Sequence, residues 1–157
     1  MTVDFYGQCK TALSGVLTTN LTAYLTETWQ ITDNEYDLHR GANHFILFRP
    51  GAIPSPADSE QDGEILEMHW QVIVNVFVRF QEKSLQWSQF DAFRGAVWHV
   101  LANPRNTITL NNNIWRVLSV ISGEEASYWR FLNTPADSQP NFMTQPLTTT
   151  VKQRVVF

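Results

Sequence analysis

The most regular hydrophobic pattern in the chain runs from Glu67 to Phe80, EMHWQVIVNVFVRF. Met68, Trp70, Val72, Val74, Val76, Val78 and Phe80 are apolar, while the intervening positions, among them Glu67, His69, Gln71, Asn75 and Arg79, are mostly polar. A period of two predicts a strand with one buried face and one face that meets water. At about 3.3 Å per residue it would run for more than about 40 Å, beyond the usual ~5–6 residues of a globular strand. So long a strand needs support. Either it bends around a domain, or it extends past its own core and is completed by a neighbouring subunit. It contains no Gly or Pro, so a bend would have to come from twist or a bulge.

The pattern changes period on either side. From Asp4 to about Glu27, Phe5, Cys9, Leu13, Val16, Leu17, Leu21, Tyr24 and Leu25 recur at steps of three and four, which predicts a helix with one apolar stripe, started by Thr2 or Asp4. A second helix is predicted over Ser84 to Ala102, with Phe90, Phe93, Val97, Val100 and Leu101 buried and Trp87 and Trp98 flanking them. Ser84, or Ser88 with Asp91 at capping-box spacing, would start it, and Asn103-Pro104 closes it. Between the first helix and the long strand, Trp29–Gly41 reads as a polar connector and His44–Arg49 as an apolar strand stopped by Pro50-Gly51. The loop Gly51–Glu64 carries Asp58, Glu60, Asp62 and Glu64 with two prolines and is expected to be irregular, either a solvated loop or an arm that orders on contact. After the second helix, Ile108–Leu110 and Ile114–Ile121 predict two strand pieces around three asparagines. Glu124–Leu132 fits a short helix or a return strand equally well, Asn133–Pro146 is expected to be irregular, and Leu147–Phe157 alternates as a final strand. These elements predict an α+β fold in which a mixed or antiparallel sheet of about four to five strands carries two main helices on one face.

Length and composition fit this picture. A chain of 157 residues with 43% hydrophobic residues is read as a single domain spanning 1–157. Each of its six tryptophans is assigned by default to the core. The net charge of −4 and the absence of a run of Lys and Arg argue against nucleic-acid binding as the main task. No apolar run is long enough for a membrane helix. The N-terminus lacks the layout of a secretory signal, and the lone Cys9 excludes an internal disulfide and a cysteine-built zinc site.

Candidate chemistry is sparse. His39 and His44 lie five apart beside Glu35 and Asp37, a spacing that suits neither a helical metal pair nor a zinc loop. His69 and His99 read as surface or hydrogen-bonded residues. No nucleophile elbow and no phosphate-binding glycine loop occurs, and the carboxylates gather where solvent keeps them untuned. No enzyme, metal or cofactor is expected.

The order of elements, together with the stretches WQVIVNVFVRF at Trp70–Phe80, WSQFDAFRGAVWHVL at Trp87–Leu101 and TTTVKQRVVF at Thr148–Phe157, resembles the tail terminator or tail-completion proteins of long-tailed bacteriophages. The resemblance covers Asp4 to Phe157. It implies a virion protein that forms a hexameric ring at the head-proximal end of the tail, built up in the host cytoplasm. Such a ring stops elongation by binding the tail tube protein and offers a joining surface to a head-completion or connector protein, while DNA passes through its lumen without specific binding. On this reading Glu67, His69, Gln71, Asn75 and Arg79 would face the lumen. Asp58, Glu60, Asp62 and Glu64 in the acidic loop, and Tyr128, Trp129, Phe131 and Phe142 in an aromatic arm, would bind partners. Alternatives are a neck or head-completion protein or the tube protein itself at the same junction, and, from another class, a small-ligand-binding α+β module.

Overall fold

The computed structural model describes residues 4–32, 34, 42–52, 60–62, 65–79, 83–110, 113–121, 124–130 and 141–156. The alternating stretch forms β4 (Ile65–Arg79), preceded by α1 (Phe5–Asn20), a single 3₁₀ turn (Leu21–Ala23), β1 (Trp29–Thr32), β2 (His44–Pro50) and β3 (Glu60–Asp62). After it come α2 (Lys83–Ala102), β5 (Thr107–Leu110), β6 (Asn113–Ile121), β7 (Ser127–Trp129) and β8 (Phe142–Val156). Six of these strands form a mixed sheet in the order β1-β2-β4-β8-β6-β5; β3 pairs with β4, and β7 with β8. The fold is α+β.

β4 is supported in a way the sequence did not suggest. β8 pairs with it antiparallel along its whole length, from Ile65 opposite Val156 to Arg79 opposite Phe142. Neither a bend nor a neighbouring subunit is required. β8 begins five residues earlier than its alternation indicated, because it includes Pro146. That proline lies between the stretch paired with β7, which ends at Thr144, and the stretch paired with β6, which begins at Thr148. There the strand has a neighbour on one side only, the setting in which a residue without an N–H is tolerated.

Val72, Val74, Val76 and Val78 join the main core with Ile46 and Phe48 of β2 and Met143, Leu147 and Val151 of β8. Onto this face pack Cys9, Leu13, Val16 and Leu17 of α1 and Phe90, Phe93, Val97, Val100 and Leu101 of α2. A one-residue slip of β4 would turn four buried valines outward at about 1.5–3 kcal/mol each, so the register is strongly fixed. The start of α1 is settled by a local hydrogen bond. Asp4, not Thr2, caps α1, its Oδ1 accepting from the Gly7 N–H at 2.8 Å. Ser88 and Asp91 lie inside α2, where Asp91 pairs with Arg94 at 2.7 Å instead of closing a capping box.

Three stretches read as irregular or undecided carry strands. Trp29–Thr32 of the polar connector is β1, parallel to β2, and Glu60–Asp62 of the acidic loop is β3, antiparallel to β4. Ser127–Trp129 resolves the open choice in favour of a strand, β7. In β6, a bulge between Val117 and Ser119 leaves Leu118 as an extra residue without a partner on β8, so that Trp115, Val117 and Val120 all reach the main core although their spacing breaks period two. Only Trp115 among the tryptophans is fully buried. Trp29, Trp70 and Trp129 are half-buried, and Trp87 and Trp98 are exposed on α2.

Candidate interaction surfaces

Both helices lie on one side of the sheet, and the opposite side divides into two regions. One is a second apolar cluster, Phe45 and Leu47 of β2 with Phe77 of β4 and Phe142 of β8, against which Trp129 packs. Its rings meet edge to face: Phe45 and Phe142 centroids are 5.9 Å apart, and Phe77 lies 6.0 Å from both Trp129 and Phe142. The Arg79 guanidinium sits 4.9 Å from the centre of the Phe142 ring. The other region is polar. There Glu67 and His69 are half-buried, Gln71 is exposed, and the Glu67 carboxylate takes Lys152 Nζ at 3.3 Å. Thr148 and Thr150 continue this face along β8, with Arg116 and Arg154 exposed beside them.

This division revises two assignments made from sequence. Asn75 shares the parity of Gln71 but is 7% exposed, because its register neighbours are Leu47 and Pro146 and the aromatic cluster begins beside it. It belongs to the interior of this side and not to a water-filled channel. Phe142 is fully buried within its own chain, since β7 folds against β8 and brings Trp129 onto it. It is therefore unavailable as a contact for another subunit, whereas Tyr128, of opposite parity in β7, is exposed. Glu60 and Asp62 lie on β3 opposite Glu67 and Ile65. Asp58, Glu64 and Phe131 lie outside the described residues.

A buried polar bridge marks the gap between β7 and β6. Gln145, on the helix side of β8, accepts from Arg94 Nη1 of α2 at 3.0 Å and donates through Nε2 to the Glu124 carbonyl at 2.9 Å. The interruption leaves the backbone at Glu124 without a ladder partner there, and the amide supplies one. Periodicity gives no sign of this residue, because Gln145 falls in a stretch expected to be irregular.

The third surface is a cleft of about 610 Å³ at the β1 edge, between Thr26, Glu27, Gln30, Asn43, His44 and Gln89. His44 is 5% exposed, and its ring meets that of Phe93 edge to face at 4.9 Å. Burial pushes the imidazole pKa below its ordinary 6.5, opposed by the negative charge of Glu27. His44 Nδ1 is buried with no hydrogen-bond partner. The sequence weighed His44 only as a metal ligand. Among the described residues no group of three His, Cys, Asp or Glu is placed to hold a metal ion, and no helix is long and apolar enough to cross a membrane. No protein-family model matches the chain, and no curated protein matches it in sequence.

Proposed function

We propose that the protein is a structural virion component of the tail-terminator kind. Six copies close into a ring at the head-proximal end of a phage tail tube, end its growth and present a joining face to a head-completion protein, with a lumen through which DNA passes. The role is structural and not catalytic. The observation that carries this reading is the one-sided sheet: helices cover one face, while the other, beyond its aromatic cluster, is a polar surface of Gln71, Thr148 and Thr150 with a Glu67–Lys152 pair. Such a surface suits the wall of a water-filled passage, its hydroxyls and amides interspersed with Lys152, which Glu67 engages, and with the exposed Arg116 and Arg154. Among the described residues the six-stranded path of the sheet ends in β1 and β5, each paired on one side only, and closure into a ring would cover such edges.

The test is tube growth. Purified tube protein is polymerised with and without this protein, and tube lengths are read by negative-stain microscopy, with the mass of the protein alone followed by light scattering over a concentration series. Short tubes each bearing a single terminal ring are expected. Tubes of unchanged length with bare ends would overturn the proposal, and continuous tubes formed by this protein alone would make it the tube protein instead.

A further inference from the structure

The two ends of the six-stranded path, β1 and β5, differ in a way that fits them to each other. At the β1 edge, on the helix side, lies the cleft that contains Glu27 and His44. Glu27 is exposed and has no ion pair among the described residues. No Lys or Arg is among the described residues that line the cleft. Thr26, Gln30, Asn43 and Gln89 bring hydroxyl and amide oxygens to it, and the His44 ring forms part of its wall. The cleft is therefore a set of acceptors around one negative charge, suited to a cation with several N–H groups.

The β5 edge supplies such a cation. Between α2 and β5 the chain turns through Asn103–Asn106, and this turn is held rigidly. The Arg105 N–H donates to Asn103 Oδ1 at 3.0 Å, the Asn106 N–H to the Asn103 carbonyl at 3.1 Å, and Asn106 Nδ2 to the Val100 carbonyl at 2.6 Å. Arg105 is exposed on this fixed turn and has no ion pair among the described residues. Because the turn continues directly from α2, it lies on the helix-bearing side of the sheet, as the cleft does. β1 and β5 each present a strand of four residues.

We infer that the Glu27–His44 cleft of one copy of this chain receives Arg105 from the β5 edge of the next copy. A contact between two different patches of the same chain is heterologous, and repeating it generates a ring when the rotation closes. The planar guanidinium carries five N–H donors in a fixed fork, so one side chain can meet the Glu27 carboxylate and the neutral acceptors together. The inference rests on the ring reading above and adds which edges meet.

Charge reversal tests it. Glu27→Lys and Arg105→Glu are made singly and together, with circular dichroism and thermal melting to establish that each is folded; both side chains are at the surface. Association is read by sedimentation velocity over a concentration series. Each single variant is expected to associate at least about tenfold more weakly than the native chain, the scale of a close charge pair turned repulsive. An equimolar mixture of E27K and R105E recovers native association, because in alternating order each reversed cleft meets a reversed turn, and the double variant recovers it in a single chain. If E27K or R105E does not fold, E27Q and R105Q replace them, and weakened association is again expected. Single variants that assemble as the native chain does, a mixture that fails to recover, or a native chain that stays monomeric at every concentration would each overturn the inference. Tube growth is scored separately. Variants that cap tubes normally while the native protein does so as a ring refute this interface alone, whereas a native ring that forms through this interface and leaves tube ends growing refutes the terminator reading alone.

Discussion

Gly51 is where a single atom decides how closely two strands meet. Its N–H donates to the Gln71 carbonyl at 2.9 Å, and a Cβ at this position would lie 2.7 Å from that same oxygen. The neighbour is backbone and cannot swing aside. Gly51→Ala is expected to lower the unfolding free energy by about 1–3 kcal/mol in urea titration, the usual cost of forcing an extra carbon into packed structure. His44 gives a prediction of different form. Burial holds its pKa below the ordinary 6.5, so the unfolded chain takes up this proton more readily than the folded one. The associated stability is present above about 6.5 and is lost as the pH falls below it, through the folded value. The urea midpoint should therefore fall more steeply between about pH 7 and pH 5 in the native chain than in His44→Gln, and parallel profiles would refute the assignment. Cys9, buried and pushed up to about 12, should stay unreactive toward thiol reagents in the folded protein near neutral pH and react on unfolding. Residues such as these were unevenly legible. A small thiol on an apolar helical stripe reads directly from sequence, but the bridging role of Gln145 depends on a strand gap that no local pattern reveals.

At the scale of elements, periodicity succeeded where one face is continuously apolar and failed where a strand is short or carries an unfavourable residue. β4 and α2 were legible because each repeats its period several times. β1 and β3 are four and three residues long, too short for any period to establish itself, and they form by adding to β2 and β4, which are already paired. Pro146 hid the start of β8 for a physical reason, since proline argues against a central strand unless a neighbour is missing at that point. The β6 bulge can be tested directly. Inserting one alanine between Ser119 and Val120 should rotate Val120 out of the main core and cost about 1.5–3 kcal/mol, the worth of burying such a side chain. Deleting Leu118 should instead leave Val117 and Val120 both facing the helices, and unfolding should remain cooperative. The reverse ranking of these two variants in thermal melts would show that the bulge does not set the register.

For the whole molecule, the α+β class and the packing of both helices on one face followed from the order of periods, because a strand with one apolar face must cover it with something amphipathic. The far side of the sheet was the harder part. Its polar half is visible in Glu67, His69 and Gln71, but Asn75 and Phe142 change character because strands distant in sequence bring Phe45, Leu47 and Trp129 around them. β8 has a further consequence. It is flanked by β4 on one edge and by β6 and β7 on the other, so a ribosome makes this strand after every strand it joins. Until β8 emerges, β4 has only β2 and β3 to pair with, and the pairings that unite the two halves of the sheet are all of high sequence separation, which makes folding slow. A nascent chain stalled with β8 inside the exit tunnel should be cut readily by protease, and release should confer resistance in one step. The sheet therefore cannot close until β8 has left the tunnel, and emergence of this one strand is the step that turns two separate halves into a single cooperative unit.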